Sequence, residues 1–192
     1  PCGTLFPYTT LFRSSAGGDR TVDEGDLVTL DATFNDPGGD DGPFDYWWQV
    51  ESANGQVVDD AFGPTFSFTP FDDGEYTVTL TITDKDGATG TSTVIVTAEN
   101  VAPVLTPTVM QTVDEGLPLN IVDIGTFADP GFGDETFSWV IEWGDASLPD
   151  SGSGGVDAVG SAGTPTSGSF DAAHTYGDSG AYTVTLTLTD DD

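Results

Sequence analysis

Two passages about a hundred residues apart say nearly the same thing. Tyr76–Asp84 reads YTVTLTITD, and Tyr182–Asp190 reads YTVTLTLTD. The echo extends further. TVDEG stands at Thr21–Gly25 and again at Thr112–Gly116, while TFNDPG at Thr33–Gly38 returns as TFADPG at Thr126–Gly131. Three landmarks in the same order mean duplication of a whole unit of roughly 90–105 residues, longer than a solenoid repeat and the size of a small domain. Each copy must then bury a core of its own.

Inside each copy the hydrophobic period is two. Tyr76, Val78, Leu80 and Ile82 share one face of a strand, and Thr77, Thr79, Thr81 and Thr83 share the other. Tyr182, Val184, Leu186 and Leu188 alternate with Thr in the same way. Such alternation with β-branched residues belongs to a strand packed on one side and wet on the other. Further strands read as Val28–Phe34, FDYWWQV at Phe44–Val50, TFSFTP at Thr65–Pro70 and TSTVIVT at Thr91–Thr97. Asn54-Gly55 carries a hairpin signal. The Gly/Ser-rich stretch LPDSGSGGVDAVGSAGTPTSGS in the second copy is expected to be loop, with a short hairpin as the alternative. No window shows a helical face. Short strands between turn residues give an all-β fold of two antiparallel sandwiches of immunoglobulin type. Tyr76 and Tyr182 fall where such a sandwich places its tyrosine corner.

The landmarks divide the chain into a leader at residues 1–18, a first sandwich at 19–99, a linker at 100–105 and a second sandwich at 106–192. The second ends in the turn after its penultimate strand and is expected to lack its last one. The leader lacks the acidic Thr/Val/Asp style of the rest, and LFPYTTLFRS (Leu5–Ser14) resembles translated sequencing-adapter read-through. Artefact or disorder is one expectation for it, and a genuine strand or linker the other.

Charge narrows function. The formal net charge is -30, and Arg13, Arg20 and Lys85 are the only basic residues. Such a surface repels nucleic-acid phosphates and attracts cations. No apolar run approaches the ~20 residues of a membrane span. Hydrophobic residues at 36% and four Trp mark a chain that folds despite its acidity. Cys2 is the only cysteine, which excludes an internal disulfide and a thiolate metal cluster.

WVIEWGDAS (Trp139–Ser147), SFDAAHTYGDSGAYTVTLTLTD (Ser169–Asp190) and the junction ENVAPVL resemble PKD domains, immunoglobulin-like modules of large secreted and surface proteins. Ala146 stands where that pattern has its last Gly. The first copy, with YWWQVES in place of the Gly-Asp-Gly turn, looks like the divergent units that alternate with PKD domains in long bacterial surface proteins. The resemblance implies an extracellular or cell-surface setting and a structural, adhesive role. The implied partners are neighbouring repeats of the same chain and extracellular protein or glycan, with no nucleic acid and no membrane insertion.

Catalysis finds little footing. His174 is the only histidine, and its place in an H-T-Y turn argues for a structural hydrogen bond over a general base. Trp47, Trp48, Trp139 and Trp143 are read as core or junction packing, or as a sugar-stacking platform. The latter would make the chain an accessory carbohydrate-binding module of a secreted hydrolase. Adjacent Trp47 and Trp48 must point to opposite faces of their strand.

The carboxylates remain. Counting strands brings acidic loops from both copies toward the NVAP joint. A calcium site is expected there from Glu24, Asp72, Asp73, Glu99, Asp129 and Asp190. Calcium takes six to eight hard oxygens, which flexible acidic loops supply. The competing reading makes the same residues turn formers and solvated surface.

Overall fold

The computed structural model describes residues 12–36, 42–133 and 135–191. The leader up to Leu11 and the middle of NDPGGDDG lie outside the described residues. Fourteen strands are found among the described residues, and no helix. They are β1 (Arg13–Ser15), β2 (Arg20–Asp23), β3 (Val28–Asp31), β4 (Thr33–Asn35), β5 (Asp45–Ser52), β6 (Thr65–Phe68) and β7 (Gly74–Thr83). Then come β8 (Thr89–Glu99), β9 (Val104–Pro107), β10 (Leu119–Asp129), β11 (Phe137–Glu142), β12 (Asp150–Ala158), β13 (Thr166–His174) and β14 (Thr185–Thr189). The fold is all-β, as the alternation predicts.

Chain contacts define two units. The first comprises Pro1–Val22, Leu27–Thr69 and Gly74–Ala98, and the second Asp23–Asp26, Pro70–Asp73 and Glu99–Asp192. Two short loops of the first repeat are therefore part of the second unit. The expected linker at 100–105 also gives way to strand at Val104, because β9 pairs with β10 from Val104↔Ala128 to Pro107↔Gly125.

In the first unit a four-stranded sheet, β2-β8-β7-β5, and the β3-β6 pair share one core. β7 alternates as expected: Tyr76, Val78, Leu80 and Ile82 are buried while the threonines between them are not. The rings of Trp48, Phe66, Phe68 and Tyr76 run through this core with successive centroids 5.5–5.6 Å apart. Burying rings of this size is the largest single apolar contribution to a small sandwich. The described end of the leader joins in. β1 pairs with β4, Ala16 is fully buried, and its N–H donates to Ser92 Oγ at 3.0 Å. Residues 13–16 are thus part of the fold. Asn54-Gly55 turns the chain with Gly55 at φ 86°, yet no hairpin follows. β5 pairs instead with β7, and the returning segment makes a single β-bridge to β5, Trp48↔Ala61, among the described residues.

The second unit carries one six-stranded sheet, β14-β11-β12-β13-β10-β9, folded around Ile121, Ile124, Phe127, Phe137, Ile141, Trp143, Phe170 and Tyr176. The Gly/Ser-rich insert is a correction to the sequence reading. It supplies β12 and the start of β13, which pair antiparallel, so the hairpin alternative is realised and extended and the loop expectation is not. Glycine is required there because a Cβ on Gly152 would lie 2.6 Å from the Trp139 ring and one on Gly168 2.3 Å from Phe127. Aromatic rings of neighbouring strands lie across the bare backbone. β14 pairs with β11 on one edge. Among the described residues nothing pairs with its other edge, and Leu186 and Leu188 are only half-buried where Leu80 and Ile82 of β7 are fully covered.

Candidate functional site

Acidic loops of the second unit converge. Glu24 sits in the turn after β2, buried, its N–H donating to the Glu99 carbonyl at 3.0 Å. Its Oε1 accepts the Val101 N–H at 2.9 Å. Gly25 permits this turn: its φ is 75°, and a Cβ there would lie 2.7 Å from the Pro130 carbonyl oxygen. The Gly25 N–H donates to Pro70 and the Phe132 N–H to Phe71, so backbone bonds tie the three loops together. The result brings one carboxylate oxygen each from Glu24, Asp72 and Glu135 within 4.8 Å of one another.

Asp129, at the end of β10, stands against this group. It is 1% exposed, and its Oδ1 accepts the Gly131 N–H at 2.7 Å. A Cβ on Gly131 would find Glu135 Oε1 at 2.7 Å and Asp129 Oδ1 at 2.9 Å, so the two carboxylates flank one point. Burial pushes the Asp129 carboxyl up to about 6; the Gly131 hydrogen bond opposes this, and the charges of Asp190, Asp191 and Asp72 add to it. Asp190 Oδ1 accepts from Asn100 Nδ2 at 3.2 Å. Asp129 Oδ2, Asp190 Oδ2 and Asn100 Oδ1 are buried with no hydrogen-bond partner among the described residues.

Of the residues expected to hold a cation, Glu24 and Asp72 fall in the three-carboxylate group; Asp129 lies outside it but beside Glu135, and Asp190 is near Asp129. Asp73 and Glu99 fall outside the three-carboxylate group. The Asp73 N–H donates to Asp72 Oδ1, and Glu99 is exposed, offering Glu24 its backbone carbonyl. Glu135 and Asn100 were not foreseen. Both lie in acidic loop phrases, ADPGFGDE and AEN, and only the backbone path shows which residue of each phrase turns inward.

His174 has a different setting. Its ring stacks on Trp143 with centroids 4.6 Å apart and meets Tyr176 edge-on, and Nε2 lies 2.7 Å from Asp145 Oδ2. Hydrogen bonds from Ser147 and from His174 hold the Asp145 carboxyl below the usual carboxylate range. Trp143 is buried and donates to Asp150 at 2.7 Å, and the Tyr182 hydroxyl donates to the Asp178 carbonyl four residues upstream, the bond of a tyrosine corner. This cluster has the geometry of a packed corner.

Residues 16–98 match the family model described as K319L-like, PKD domain. Over that segment the chain is similar to PKD domains. The match begins at Ala16, the buried residue that ties the described leader to the sandwich, and it falls on the repeat that looked the more divergent. Comparison with curated proteins gives no match. Within the matched segment Asp84 is a turn former: its Oδ1 accepts the N–H groups of Asp86 and Ala88. Trp47 and Trp48 point to opposite faces. Trp48 is buried, while Trp47 is 41% exposed with its indole N–H on Asp60 at 2.8 Å.

Proposed function

We propose that the chain is a non-catalytic structural and adhesive segment of an extracellular protein, with calcium stiffening its acidic loops. The family match over residues 16–98 carries the reading, because PKD modules are generally non-catalytic and typical of extracellular proteins. The single His fits it too. His174 is held between Trp143 and Tyr176 and bonded to a carboxylate, as a packing residue is. The test is mechanical and adhesive. Tethered between beads, the full chain should unfold cooperatively and refold on release, and surfaces coated with it should retain cells or matrix protein. A chain that extends without resistance and retains nothing refutes the proposal. One observation favours a second reading, an accessory carbohydrate-binding module: Trp47 is exposed, and Asp60 fixes its ring as a stacking platform needs. A glycan screen with Trp47→Ala as control separates the two.

A further inference from the structure

We propose that the second unit binds one calcium ion through the carboxylates of Glu24, Asp72, Glu135 and Asp129, with Asp190 and the Asn100 side-chain carbonyl completing the oxygen set. The proposal deepens the reading of an extracellular, calcium-stiffened module and rests on it for the environment that supplies the ion.

Three observations converge. The first is spacing. Calcium–oxygen bonds of about 2.4 Å place ligands on opposite sides of the ion about 4.8 Å apart. The oxygens of Glu24, Asp72 and Glu135 lie within 4.8 Å of one another. The second is the set of unpartnered oxygens beside them. Asp129 is 1% exposed, with Oδ2 lacking a partner among the described residues, and Asp190 Oδ2 and Asn100 Oδ1 share that condition. A buried carboxylate oxygen without a donor costs several kcal/mol in a folded protein unless a cation or proton meets it.

The third observation is charge. The second unit contains no Lys and no Arg: Arg13, Arg20 and Lys85 all belong to the first. Its single His is bonded to Asp145. The unit's own sequence therefore offers the converging acids no Lys or Arg, and a cation from solution would answer their charge.

The chemistry of the donors selects the ion. All are hard oxygens, and neither imidazole nor thiolate is among them, which disfavours zinc and copper. The donors come from separate loops, an irregular arrangement that calcium tolerates and that magnesium, with its octahedral demand at shorter distance, does not. A hollow of about 260 Å³ lined by Asp23, Glu24, Asp26 and Val101 opens beside Glu24.

The experiment is equilibrium dialysis with radioactive calcium on the full chain at constant ionic strength, with circular dichroism to verify folding. The wild type should bind one ion per chain in the range of about 10⁻⁴–10⁻³ M found for extracellular sites. Glu135→Gln, at a half-buried position in a loop, should weaken binding at least about tenfold while the spectrum is unchanged. Asp129→Asn should do the same, and Asp60→Asn, in the first unit, should not. The site is refuted if there is no saturable binding by about 10 mM calcium, if magnesium binds equally well, or if Glu135→Gln and Asp129→Asn both bind like wild type. Pulling and adhesion measured in chelator report on the module without the ion. A chain that resists force but binds no calcium loses this site and keeps the structural reading.

Discussion

Stripped of divalent ions, the protein should lose stability as pH rises from about 4 to 7, and Asp129 should account for a measurable part of the loss. Its carboxyl moves from an ordinary 3.8 to about 6 in the fold, because burial and three neighbouring carboxylates penalise its charge. The folded state thus holds a proton over a range where the unfolded chain has released it. Below about pH 4 both states are protonated and the group contributes nothing. Between 4 and 6 stability falls as pH rises, and above about 6 the full cost is present. A rise from 3.8 to about 6 corresponds to at most about 3 kcal/mol, and solvent screening in the loop brings this to about 1–2 kcal/mol. For a unit of this size each kcal/mol moves the melting temperature by about 4–8 °C. Scanning calorimetry in chelator, at pH 4.5 and pH 7, should therefore separate wild type from Asp129→Asn. The amide keeps Oδ1 as acceptor for Gly131 but cannot ionise. The variant should match wild type near pH 4 and melt on the order of 5–10 °C higher at pH 7. Millimolar calcium should reverse that order. Identical pH slopes for the two proteins would refute the reasoning and leave Asp129 an ordinary satisfied acid.

Gly168→Ala should destabilise the second unit by about 1–3 kcal/mol, measured by urea unfolding, since its Cβ would meet the Gly155 carbonyl oxygen at 2.1 Å. His174→Ala should cost about 1–3 kcal/mol by removing the Trp143 stack and the Asp145 hydrogen bond. The deficit of this variant should narrow as pH falls below about 4. Asp145 titrates below its unfolded value, so its stabilising effect is present above about pH 4 and lost as pH falls further. Backbone amides of Thr185–Thr189 should exchange with solvent faster than those of Gly74–Thr83, because β7 is flanked by β5 and β8 while β14 pairs with β11 alone among the described residues. Equal protection in the two strands would mean that a further pairing covers β14.

The strands were legible and much of the site was not, for one physical reason. A strand announces itself through neighbours in sequence: Tyr76, Val78, Leu80 and Ile82 alternate with Thr, and the same alternation appears as burial. The repeat added register by showing the pattern twice. β12 broke the rule because its glycines are chosen by residues on other strands: the rings of Trp139 and Phe127 and the Phe137 Cβ occupy the space a Cβ would need. A local reading sees Gly-Ser-Gly-Gly and infers a loop. The acidic site has the same character in stronger form. Acid-rich turns recur along this chain, and Asp84 shows that some merely cap themselves. What sets Glu24, Asp72 and Glu135 apart is convergence beside the buried Asp129, and it depends on three loops bonding through Gly25–Pro70, Phe132–Phe71 and Glu24–Glu99. No spacing rule encodes that. Glu135 and Asp73 make the point in opposite directions, since both follow another Asp in an acidic turn. The sequence reading chose Asp73, and the backbone brings Glu135 to the group. The useful sequence signal was the coarser one, a second unit rich in turn acids with no Lys or Arg to answer them.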